Sequence, residues 1–178
     1  MENTDIRPAG PGFPNLIQRI SALSTAGRVE ARAGHADLAP GLWLSTDPAG
    51  QAVLAAEPDA EGFRLTLEAG DTGRWAALGM HLPRERLEGA RYFLLLVRAS
   101  AEGLLATTPT LRYHLNDGGS IDVAAAPLVM AGDRRESLAH MPVDSGLLAR
   151  SRDCECNLFL STDSLSARIH LLEPMVAH

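Results

Sequence analysis

Cys154 and Cys156, the two cysteines of the chain, flank Glu155. A Cys-x-Cys pair can ligate zinc, but structural zinc takes four ligands and usually a wider spacing from a turn. His114, His140 or His170 would have to complete the set, and no spacing brings them to it. On a strand, residues two apart share a face, so the pair reads as two buried free thiols. The loop Asn116-Asp117-Gly118-Gly119-Ser120 offers hard oxygen ligands, as a structural calcium site would. Asp-Gly is also the signature of a tight hairpin turn, which is the better-supported reading. No other cofactor is expected. Carboxylates at Asp117, Asp122, Asp133, Glu136, Asp144 and Asp153 fall in or near expected loops. Glycoside cleavage would need two of them facing across a cleft, which spacing does not reveal. There is no Gly-x-Ser-x-Gly elbow, no phosphate-cradling glycine loop and no His-Glu-x-x-His. The chemistry therefore points to binding rather than catalysis.

The elements that would position these residues are strands. Phe63, Leu65 and Leu67 alternate with Arg64 and Thr66; Leu111, Tyr113 and Leu115 alternate with Arg112 and His114. Cys154, Cys156, Leu158 and Leu160 oppose Glu155, Asn157 and Phe159, while Ile169 and Leu171 oppose Arg168 and His170. This period of two is that of half-buried antiparallel strands. Further strand-like runs occupy 42–45, 52–56, 75–81, 92–99, 121–130 and 137–141. Turn signals separate them at 47–50, 57–59, 69–71, 116–119 and 132–133. Many short strands without long helices predict an all-β fold, an antiparallel β-sandwich of jelly-roll type with a short N-terminal helix. Leu42-Trp43-Leu44-Ser45-Thr46-Asp47 returns as Leu158-Phe159-Leu160-Ser161-Thr162-Asp163, each a strand end running into a polar turn.

Residues 1–40 are expected to form an arm and that helix, with the sandwich over 41–178. Asn15 can cap the helix, Leu16, Ile17, Ile20 and Leu23 share one face, and Gly27 stops it. It would cover an apolar sheet face, for which the doubly apolar run 92–97 is the candidate, or dock another chain. The outward residues Arg64, Arg112, His114, Asn157 and Arg168 are the candidate ligand-binding set. Phe159 and Trp43 would serve as apolar platforms beside them.

At 178 residues, 46% apolar and 21% charged, the chain can bury its own core. A net charge of −6 disfavours nucleic acid. All 16 basic residues are arginine, as a GC-rich bacterial coding genome would give. No run is long enough for a membrane helix, and Met1-Glu2-Asn3-Thr4-Asp5 is unlike a signal peptide, so a cytoplasmic location is the default expectation.

The stretch Gly89-Ala90-Arg91-Tyr92-Phe93-Leu94-Leu95-Leu96-Val97-Arg98-Ala99-Ser100, and the order of segments over 63–172, resemble carbohydrate-binding modules and galactose-binding-like jelly rolls. The resemblance covers about 110 residues by architecture, without a diagnostic motif. It implies a non-catalytic module whose ligand is a carbohydrate or another polar molecule. Two rivals remain open: an assembly subunit docking a protein partner or a second copy through a sheet face or the helix, and a polysaccharide hydrolase or lyase.

Overall fold

A computed structural model of the chain describes residues 6–8, 27–68, 75–160 and 165–178. The expected helix over 15–26 lies outside the described residues. Among the described residues, twelve strands and two short helices follow in order. The strands are β1 Ile6–Pro8, β2 Val29–Arg32, β3 His35–Ala39, β4 Leu42–Thr46, β5 Val53–Asp59, β6 Gly62–Glu68 and β7 Ala76–Leu82. After helix α1 (Arg84–Leu87) come β8 Tyr92–Leu115, β9 Ser120–Ala124 and β10 Leu128–Pro142. Helix α2 (Ser145–Arg150) precedes β11 Ser151–Leu160 and β12 Leu165–Ala177. All strand pairings are antiparallel.

The 24-residue strand β8 organises the rest. Its residues 92–102 pair with β12, which continues through β6 and β5 to β2. Its residues 107–115 pair with β11, which continues through β7 and β4 to β3. Strand β8 thus passes from one sheet (sheet I: β2-β5-β6-β12-β8-β10) into the other (sheet II: β9-β8-β11-β7-β4-β3). Gly103, at φ +96°, sits at the crossing, a backbone angle that suits glycine. The odd-numbered residues Phe93, Leu95, Val97, Leu105, Leu111 and Tyr113 face the core on both sides of it. Leu65, Val97, Ile169 and Leu172 of sheet I and Leu78, Leu158 and Leu160 of sheet II line one interior gap, so the sheets pack face to face. This is the expected all-β antiparallel sandwich.

Several expected boundaries shift. The sheets begin before residue 41, because β2 and β3 pair with β5 and β4. The expected strands 92–99 and 111–115 are one strand. The turn expected at 132–133 is an irregularity inside β10, where the register with β8 slips between Gly132 and Arg135. The turn expected at 57–59 falls after Asp59, since β5 and β6 close through Asp59 and Gly62. The 116–119 turn is as read: the Gly118 N–H donates to the Leu115 carbonyl at 3.1 Å, and Asp117 Oδ1 accepts from the Gly119 N–H at 3.0 Å. That carboxylate is engaged by its own turn. Among the described residues no group of three or more His, Cys, Asp or Glu could hold a metal ion.

Cys154 and Cys156 are free and buried on the inner side of β11. Burial pushes the Cys154 thiol up to about 11, aided by the Asp153 charge. It pushes Cys156 up to about 12. Thiolate is the reactive form, so neither thiol is expected to react with a disulfide reagent at pH 8 in the folded protein. A thiol titration should count both in denaturant and none without it; rapid native labelling would contradict this burial.

Candidate functional site

The five expected ligand residues do not share one face. Arg64 and Arg168 are register partners on β6 and β12, in sheet I. Arg112, His114 and Asn157 lie on β8 and β11, in sheet II. Alternation tells which residues leave the core but not which sheet they leave from, and a sandwich has two outer faces. The set divides accordingly.

Sheet II brings its three together. Core positions Leu111, Tyr113, Cys154 and Cys156 are fully buried, and this fixes Arg112, His114, Glu155 and Asn157 on the outer side, where Asn157, expected to be open to a ligand, is nonetheless buried at 4% exposure. Arg112 donates twice to Asp122 of β9, Nε to Oδ1 at 2.7 Å and NH2 to Oδ2 at 2.8 Å. Its NH1 lies 3.6 Å from Glu155 Oε1. The bonded Asp122 holds the guanidinium pKa above its ordinary value, against partial burial. Glu155 Oε2 lies 3.1 Å from His114 Nε2, and its Oε1 accepts from Asn157 Nδ2 at 2.9 Å. One carboxylate thereby gathers an arginine, a histidine and an amide. Next to it, His81 Nε2 lies 2.7 Å from Asp153 Oδ1.

An aromatic platform adjoins this row. Across the sheet, Trp43 of β4 registers with Gly79 of β7, and Gly79 with Asn157 of β11. A Cβ on Gly79 would lie 2.1 Å from Trp43 Nε1 and 2.3 Å from Cε2. The indole therefore lies down over the bare glycine, directed across β7 toward Asn157. His35 packs on the other side of Trp43, with ring centroids 5.7 Å apart, and is held by Asp37 at 2.9 Å. Farther along the same face Phe159 meets Trp75 edge-on at 6.3 Å.

Trp43 and Phe159 lie on the outer face of sheet II, as alternation predicts. Asp122 was read only as a carboxylate in or near a loop and lies on β9; His81 and Gly79 were not singled out. Gly79 had a signal, since an isolated glycine within a strand pattern marks a close approach.

In sheet I, Arg168 donates to Asp59 Oδ2 from Nε at 3.0 Å. Asp59 is held below the usual carboxylate range, first by the Glu61 N–H and then by Arg168. Arg64 and Arg168 line a polar cleft with Ser100, Ser166, Glu102 and Asp133.

No family model matches the chain, and no curated protein matches it in sequence. Solved structures resemble it in backbone course. The CBM22-1 xylan-binding domain from Paenibacillus barcinonensis Xyn10C superposes with a TM-score of 0.49 at 8% identity, over 75% of this chain and 85% of that one. A structure described as "CBM4 structure and function" gives 0.48 at 8% identity, over 85% and 95%. The enzymatically active domain of bacteriophage CBA120 tailspike protein 4 gives 0.47 at 14% identity, over 76% of this chain and 19% of that one.

Proposed function

We propose that this protein is a β-sandwich module that binds a carbohydrate or glycan on the outer face of sheet II, a face that binds without catalysing. The observation that carries this reading is Trp43, laid over Gly79 beside the hydrogen-bonded row of Asn157, Glu155, His114 and Arg112. A sugar ring presents an apolar C–H face and a rim of hydroxyls. An indole face suits the first, and fixed imidazole, carboxylate and guanidinium groups suit the second. The charged groups in the row are already paired with one another. Their chemistry is to orient donors and acceptors rather than to move protons, and the prior pairing lowers the cost of ordering them on binding.

The test is binding to a glycan array and a panel of soluble polysaccharides, followed by titration calorimetry on the best ligand. Trp43→Ala is expected to weaken binding at least about tenfold, or about 1.4 kcal/mol, with the thermal midpoint nearly unchanged. Retention of full affinity by Trp43→Ala, or no binding across the panel, would sink the proposal.

A further inference from the structure

On the opposite side of the molecule Ser100 stands on the outer face of β8 in sheet I, where the ladders to both neighbouring strands bulge. On β12, Ile169 pairs with Ala99 and Leu171 with Arg98, which leaves His170 as an extra residue. On β10, Gly132 pairs with Ala101 and Arg135 with Ala99, so Asp133 and Arg134 together oppose Ser100. Bulges re-aim side chains, and they recur beside active sites. Here both turn a group onto one hydroxyl. The Arg134 N–H donates to Ser100 Oγ at 3.2 Å, and His170 Nε2 lies 2.7 Å from the same oxygen. In the tautomer protonated at Nδ1, the Ser100 hydroxyl donates to His170 Nε2.

His170 is held as a base would be. Its side chain is only 5% exposed. On the far side of the ring, Glu61 Oε2 lies 3.7 Å from Nδ1 and Arg134 NH2 lies 3.4 Å from it. Burial, then the Arg134 charge, lower the imidazole pKa from its ordinary value, against the opposing pull of Glu61, so the ring is neutral near pH 7. Glu61 reaches it because Gly62 lies directly against the Ile169 carbonyl. In front of Ser100 opens a cleft of about 220 Å³, with Arg64 and Arg168 on its wall and Glu102, Asp133 and Ser166 around them.

We propose that Ser100 is a nucleophile, with His170 as its general base, for short-chain carboxylic esters of polyhydroxylated alcohols that enter this cleft. Ser100 Oγ bonds to the ester carbonyl carbon while its proton passes to His170 Nε2. The ester C–O bond then breaks, and the alcohol leaves carrying that proton. Water hydrolyses the acyl-serine, releasing the acid and restoring Ser100. The mixed charges and hydroxyls of the cleft suit a hydroxylated alcohol, and its volume suits an acetyl-sized acyl group. This site is separate from the sheet II face, and neither reading depends on the other.

The test treats the full chain with a fluorophosphonate probe and, separately, with p-nitrophenyl acetate. One adduct per chain is expected by intact mass, mapped to Ser100 by peptide sequencing, together with ester turnover above the buffer rate. Ser100→Ala should abolish both, and His170→Ala should slow both at least about 100-fold, the range of general-base contributions. Glu85→Ala, on an exposed residue of α1, should change neither. The absence of a Ser100 adduct in the wild-type chain overturns the proposal whatever the variants do. So does wild-type labelling in His170→Ala, or in His170→Asn should the alanine variant not fold.

Discussion

Gly62→Ala is expected to destabilise the protein by about 3 kcal/mol or more, in the class of strain at a special backbone position. Two effects add. Gly62 has φ +146°, a region that side-chain-bearing residues avoid. A Cβ there would also sit 2.0 Å from the Ile169 carbonyl oxygen and 3.2 Å from His170 Cα. Those atoms are backbone of β12, which is bonded to β6 on one edge and β8 on the other, so they cannot step aside singly. For a chain of this size each kcal/mol moves the melting point by roughly 2–4 °C. The midpoint should therefore fall by roughly 10 °C, read by calorimetry or by circular dichroism. A shift within experimental error would mean that β5 and β6 do not close at this point as described.

Gly79→Ala should have the opposite profile, a large loss of binding with little loss of stability. The atoms a Cβ would meet are those of the Trp43 indole, not backbone, and Gly79 has no positive φ. The ring can swing off the sheet, after which it no longer presents its face beside Asn157. We expect glycan affinity to drop at least about tenfold. In a Trp75→Phe background Trp43 is the remaining tryptophan, and its emission should shift to the red as the ring enters water. Unchanged emission would show that the indole does not lie over Gly79. A red shift with unchanged affinity would leave the geometry standing and remove Trp43 from the binding face.

Alternation made the strand interiors legible, because a half-buried strand repeats every two residues whatever it pairs with. Phe63-Arg64-Leu65 and Tyr113-His114-Leu115 keep in the structure the alternation they have in the sequence, Leu115 only partly buried. The continuity of β8 was hidden, since Glu102-Gly103 and Thr107-Thr108-Pro109 interrupt the apolar rhythm just where the strand crosses between sheets. The segments 29–32 and 35–39 were hidden for another reason. Both are short edge pieces, each exposed at one end, and their pairing partners lie elsewhere in the chain. The candidate site was half legible. Arg112, His114 and Asn157 do converge, through Glu155; Arg64 and Arg168 were drawn in because outwardness carries no sheet label. The bulges that turn His170 and Arg134 onto Ser100 had no local signal, because a bulge belongs to a pair of strands rather than to one.

The connectivity of β8 also sets an order of events on the ribosome. Strands β2, β5 and β6 can pair among themselves as soon as they are made, and so can β3, β4 and β7. Nothing in the ladders joins β6 or β7 to β8 directly: β12 bridges the first group to it, and β11 the second. Until β11 and β12 emerge, the nascent chain holds two half-sheets and a hairpin with open edges, each a template for wrong pairing. Closure of the two sheets thus waits on β11 and β12, which follow every strand they bridge. A chain stopped at residue 150 would lose both sheets at once rather than one strand at a time.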